Sequence, residues 1–215
     1  MAKPTVKAAR PVLGTRDRMV AGAVDLLRRR GVAATSLREV VRHTATPRGS
    51  LGHHFPDGKA QLLEEAIVYA RRNVSRQLQQ ALSELGPIQG LRAFADSWRR
   101  ILQSTSFEAG CPVMAVAIER ATNDSGVQLP TQRRLLDLVQ ESFDEWAGLL
   151  ADSLRQEGVP AARARSLSML VIASFEGAIG ACRAARNCRP LDDVAHELDL
   201  VFRHAIGTGG ARSVG

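Results

Sequence analysis

The run from Arg48 to Lys59 gathers many of the residues in this sequence that are able to do chemistry: Arg48, Ser50, His53, His54 and Lys59, threaded by Gly49, Gly52 and Gly58. Several chemistries compete for such a set. A phosphate loop needs four residues between its glycines, and a Ser or Thr after the lysine to hold Mg²⁺. Here five residues separate Gly52 from Gly58 and Ala60 follows Lys59, so that reading fails. Zinc on a helix needs histidines about one turn apart so that both rings reach one ion. His53 and His54 are adjacent, while His196 and His204 stand eight apart with no Cys or carboxylate to complete a set. No G-x-S-x-G elbow occurs. No catalytic residue, metal or cofactor is therefore expected, and the chain does not read as an enzyme. What remains is a set of donors, Arg48, Ser50, His53 and His54, suited to base edges and phosphates.

The elements that would position these donors are helices. Met19, Val20, Ala23, Leu26 and Leu27 fall on one helical face, and Gly31 ends that helix after three arginines. Those arginines suit the negative end of the helix dipole without any partner. Ser36 and Glu39 have capping-box spacing, so a second, short helix starts there with Leu37, Val40 and Val41 inward. Thr46 as N-cap and Pro47 at the first turn announce a third helix that runs to Phe55 and breaks at Pro56-Asp57-Gly58. Its two glycines cost about 1 kcal/mol each relative to alanine, so Leu51 and Phe55 must dock it on its neighbours. In return the glycines allow close approach to another surface. A helix, a break and a short polar helix is the plan of a helix-turn-helix.

A long fourth helix follows with Leu62, Leu63, Ala66, Ile67, Ala70, Val74, Leu78, Leu82 and Leu85 as its stripe, stopped at Gly86-Pro87. Further helical stretches fall near 88–104, 112–121, 129–156, 161–186 and 191–206. Period-two runs are nearly absent. The chain reads as all-α with about nine helices, in three parts: a basic arm over 1–14, a helix-turn-helix over 15–60, and a helical remainder over 61–215.

Charge follows this division. Residues 1–60 hold twelve Lys or Arg against four acids, a net +8, while the whole chain carries +7, so the rest sums to −1. A polyanionic partner would be met by the first quarter of the chain. The basic arm either tracks a minor groove or is a tail that touches nothing. No run of about 18 apolar residues appears, so no membrane span is expected. The first residues lack an apolar leader, and Cys111, Cys182 and Cys188 are too few and scattered for a disulfide framework; both features lead to the expectation of a cytoplasmic protein.

Residues 15–63, from Thr15 through GVAATSLREV and PRGSLGHHFPDGK to Leu63, resemble the N-terminal module of the TetR family of bacterial repressors. The wording around Pro47–Lys59, with Gly110-Cys111-Pro112-Val113 later, is similar to its LmrA-like, multidrug-responsive branch. The resemblance implies that Thr46, Pro47, Arg48, Gly49 and Ser50 enter a major groove. It places His53 and His54 against base edges or phosphate, with Ser36 and Lys59 clamping phosphates at helix N-termini. Two residues depart from the family pattern. Gly52 stands where a tyrosine is usual, and Ala45 where a glycine is usual, at a cost of roughly 1 kcal/mol if that position is left-handed.

The resemblance also implies sensing and dimerisation by the rest of the chain. Phe94, Trp98, Phe107, Met114, Phe143, Trp146, Met169 and Phe175, with Glu176 beside them, are either packing or the walls of an apolar pocket for an unknown small-molecule effector. Leu167, Leu170, Val171, Ser174, Ala178 and Ala181, with Gly177 and Gly180, make one stripe; Val194, Leu198, Val201, Phe202 and Ala205 make another. Either the stripes close an intrachain core or the last two long helices form a homodimer seam. The whole implies a repressor that binds a palindromic double-stranded DNA operator and is released by a hydrophobic ligand; a DNA-binding protein without a ligand is the alternative.

Overall fold

The computed structural model of the chain describes residues 14–119 and 130–210; the basic arm expected before residue 14, and the helix ends expected near 121 and 129, lie outside them. Among the described residues there are eight α-helices and no strand: α1 (Thr15–Arg30), α2 (Leu37–Thr44), α3 (Leu51–His54), α4 (Gly58–Ser104), α5 (Pro112–Ile118), α6 (Pro130–Gln156), α7 (Ala161–Ala185) and α8 (Arg189–Gly210).

The head is built on α1. Met19, Val20, Ala23, Leu26 and Leu27 are buried as the periodicity requires. Gly31 ends the helix with φ 79° and returns its N–H to the Leu27 carbonyl at 3.0 Å. Arg28 and Arg29 fold back on Asp25 at 2.6 and 3.0 Å. Burial raises the Asp25 carboxyl, but the two guanidiniums outweigh it and hold the group below its ordinary range. α2 crosses α1 closely: a Cβ on Gly22 would lie 2.1 Å from Thr44 Cγ2.

α4 joins head to body, packing on α1 first and on α6 and α8 beyond. The expected break falls at Gly86, which takes φ 70° and ψ 177°, and Pro87 then opens a second helical arm where its missing N–H is harmless. The ninth segment of the expected count is that second arm. Its Gly90 sits against the Ala81 backbone, where a Cβ would come within 2.8 Å of the carbonyl oxygen. In the body α7 packs between α6 and α8.

One feature of α7 stands out in composition, and the expected seam needs correction. α7 is long and apolar enough to cross a membrane, with mean hydropathy 1.4 over its best stretch. It reaches that value because it is apolar on two sides: Leu167, Val171, Phe175 and Ile179 are buried in the body, whereas Met169 and Leu170 face outward. The expected seam is also split by helical phase. Leu167, Val171, Ala178, Leu198, Phe202 and Ala205 are buried within the chain, while Leu170, Gly177, Gly180 and Ala181 are exposed.

Candidate nucleic-acid interface and body cavity

The segment after α2 departs from a regular helix. Ala45 takes the left-handed conformation, φ 50° and ψ 40°, so the cost attached to a residue with a Cβ applies. Thr46 is buried, and this corrects its expected place in the groove. Thr44 Oγ1 donates to the Val40 carbonyl at 2.7 Å, so the 2.9 Å contact between the two hydroxyls has Thr46 as donor. With its N–H on Val41 O at 3.2 Å, Thr46 ties the turn back to α2 and caps nothing.

Pro47 precedes a 3-10 turn over Arg48–Ser50, and only Leu51–His54 is α-helical. Two glycines and a serine give this stretch too little helix propensity for a full α-helix, so its first turn tightens to i→i+3 bonds. The Ser50 N–H and hydroxyl both donate to the Pro47 carbonyl, at 3.3 and 2.7 Å. Phe55, 2% exposed, anchors the far end, with the Arg16 guanidinium 5.6 Å from its ring centre. Leu51 is only partly buried against the same core.

What faces out is Pro47, Arg48, Gly49, Gly52 and His53, with Ser50 and His54 half-buried. His53 and His54 meet edge to face at 5.2 Å, so the adjacent rings are not splayed apart. A Cβ on Gly49 or Gly52 would meet nothing within 4 Å, so this side is open. Arg28, Arg29, Arg30 and Arg42 are each paired with Asp25 or Glu39. Among the described residues of the head, Arg18, Arg38 and Arg48 stand exposed without a carboxylate in ion-pair range. Most of the head's positive charge is thus locally answered, and Arg48 is not.

The two expected phosphate clamps sit differently. Ser36 caps α2, its hydroxyl accepting the Glu39 N–H at 3.2 Å. Glu39 turns to Arg42 and Arg30 instead of reaching back, so half of the capping box forms. Lys59 is drawn inward, its ammonium donating to the Val32 carbonyl at 2.8 Å. Burial pulls the Lys59 ammonium below its ordinary range, with the Glu119 carboxylate opposing that shift. In this conformation Lys59 is committed to the protein and not held out for a phosphate.

In the body, Phe94, Trp98, Trp146, Phe175 and Glu176 line one cavity, together with aliphatic residues such as Val74, Leu78, Ile172 and Ile179. Its free interior is about 30 Å³, room for one or two waters. Glu176 is the one charged side chain in the wall, and burial raises its carboxyl to about 7 despite a hydrogen bond with the Cys111 thiol. The Trp146 Nε1 is buried without an acceptor. Four of the expected residues lie elsewhere. Met169 is 44% exposed, because it sits six residues before Phe175 and so about 120° away round the helix. Phe143 stacks edge-on behind Trp146 at 5.7 Å. Met114 packs from α5, and Phe107 takes φ 62° in the loop after α4. The aliphatic walls were missed because Val, Leu and Ile carry the same signal in a cavity as in a core.

Residues 20–66 match the profile of bacterial regulatory proteins of the tetR family, and residues 87–197 that of the LmrA/YxaF-like transcriptional regulator C-terminal domain. An HTH-type transcriptional regulator of Mycobacterium tuberculosis is 37% identical over 188 residues, covering 86% of this chain and 92% of that protein. The chain belongs to the TetR family. The HTH-type transcriptional regulator LmrA of Bacillus subtilis is 28% identical over 178 residues, covering 82% and 90% of the two chains. The fold agrees: a TetR transcriptional regulator from Legionella pneumophila superimposes with a TM-score of 0.75 at 21% identity, over 89% of this chain and 99% of that one. In a TetR-family regulator the unit from α2 to α3 is the DNA-binding helix-turn-helix, and the open surface around Arg48 belongs to it.

Proposed function

We propose that this TetR-family regulator is a ligand-responsive repressor that binds a palindromic operator as a homodimer in the cytoplasm. The observation that carries the reading is the contrast in openness between its two candidate sites. The recognition turn presents unpaired donors to solvent, while the cavity is closed to about 30 Å³, far below the roughly 300 Å³ of a small drug site. A ligand that enters must push the walls apart. Its affinity therefore differs between the closed body and an opened one, which is the thermodynamic requirement for switching.

The wall states what such a ligand offers. Aromatic faces from Phe94, Trp98, Trp146 and Phe175 favour an apolar or aromatic skeleton. Glu176 takes a donor or a basic nitrogen, and Trp146 Nε1 seeks an acceptor. Outward residues of α7 and α8, Met169, Leu170, Gly177 and Leu200, supply the homodimer seam, with two helices from each subunit. Arg48, Gly49, Ser50 and the histidines then enter successive major grooves.

Screening aromatic amines and their neutral alcohol counterparts by thermal shift and operator release tests the reading. The expected result is a ligand that both raises the melting temperature and frees DNA. Stability and DNA binding untouched across the panel would leave the cavity as packing. A monomer at micromolar concentration would remove the dimer.

A further inference from the structure

We propose that Glu119 is a positioning residue for DNA reading: from the end of α5 its carboxylate clamps the loop between α1 and α2 and so sets the angle at which the recognition turn is presented. The inference rests on the reading that two heads of one dimer address one operator.

The geometry is a two-pronged grip between segments far apart in sequence. Glu119 Oε2 accepts the Val32 N–H at 2.5 Å, and Oε1 accepts the Ala33 N–H at 2.7 Å. Both carboxylate oxygens are thereby spent on consecutive amides of the loop that leads into α2. Gly31 makes room for this: a Cβ there would come within 2.5 Å of Glu119 Oε2. Val32 is held from its other side as well, since Lys59 donates to its carbonyl. One peptide of the head is thus fixed by α5 and by the start of α4 together.

Glu119 is itself held. Gln132 Nε2 on α6 donates to the Glu119 carbonyl at 2.9 Å, tying the gripping residue to the helix that carries Trp146. At the opposite end of α5 the Gly110 N–H donates to the Arg28 carbonyl at 2.8 Å, a second attachment to the last turn of α1. The next residue, Cys111, meets Glu176 on the cavity wall through its thiol. Seven helical residues, Pro112–Ile118, therefore span from the cavity wall to the head, with an attachment to α1 or its loop on either side. A carboxylate that merely stapled a loop would need none of these further ties.

The experiment uses full-length protein and an operator selected from a randomised pool, at its natural half-site spacing and with one base pair inserted or removed at the centre. Wild type is expected to bind the altered spacings much more weakly. Losing two hydrogen bonds to a charged acceptor frees the head, so Glu119→Ala should narrow that discrimination by about tenfold. Glu119→Gln, which keeps one acceptor and the side-chain shape, should fall between the two. Equal weakening at every spacing, or unchanged discrimination, overturns the proposal. Hydrogen exchange on DNA-free protein gives a readout that needs no operator: the Val32 and Ala33 amides should lose about tenfold protection in Glu119→Ala. Unchanged exchange there overturns the clamp. Wild type that ignores spacing would instead overturn the two-headed reading of the operator and leave the exchange result to judge Glu119.

Discussion

The recognition turn and the body cavity are opposite solutions to being a candidate site. The turn exposes its polar groups, keeps Arg48 free of carboxylates, and holds itself with a 3-10 turn and one helical turn. The cavity wall holds a half-buried Glu176 and a buried Trp146 Nε1 among aromatic side chains. The difference teaches where the energy of each sits. The turn spends stability on glycines and a left-handed Ala45 and relies on its packed floor for support. The cavity stores its cost in a carboxyl that burial disfavours as an anion and in an indole N–H without a partner.

The strongest way to break this contrast is to remove the turn's floor. Phe55→Ala should cost about 3–5 kcal/mol of head stability and abolish operator binding, while the buried aromatics of the body keep their fluorescence until a separate transition. Coincident loss of both regions in chemical denaturation would show that the turn has no floor of its own.

The cavity has a pH signature. A carboxyl at about 7 in the fold and near 4.5 when exposed gives the folded state the extra proton between those values. Stability is therefore complete below pH 4.5, falls as pH rises toward 7, and levels off above it. Glu176→Gln stays neutral and should be about 2–3 kcal/mol more stable than wild type at pH 8, with no difference at pH 4. Urea titrations at the two pH values check this; a parallel offset at both would remove the carboxyl as the cause.

Arg48→Ala sharpens the other side. It should weaken operator binding by about 1–3 kcal/mol and relax specificity, with melting unchanged because the side chain is unpaired. A drop in melting temperature would mean that the arginine is structural. The smallest effect is expected at the turn's strain point. Ala45→Gly should raise head stability by about 1 kcal/mol, measured by urea denaturation, and no gain would show that the left-handed backbone costs little there.

These two regions were unequally legible in the sequence. Gly49 and Gly52 are out of place in a stable helix, and that anomaly marked the turn. The helices themselves followed from periodicity, caps and the Gly86-Pro87 break. Thr46 misled because a threonine before proline is also the signature of a cap, and only the contact with Thr44 reveals its inward role. Lys59 misled for a similar reason, since a lysine opening a helix does not say which carbonyl lies nearby. The cavity was legible only in part: helical phase separates Phe175 from Met169, but nothing in Val74 or Ile172 distinguishes a wall from a filled core. Glu119 left no sequence signal, because its partners are backbone amides some 86 and 87 residues away.

Gly22 looks dispensable on paper, a mid-helix residue that alanine would serve better by about 1 kcal/mol. Yet the vacancy beside its Cα is where the Thr44 methyl rests, so the tilt of one rod on the other is set by an atom that is missing. A saturation library at this position should be depleted in larger residues, and the same library made on a Thr44→Ala background should tolerate more of them.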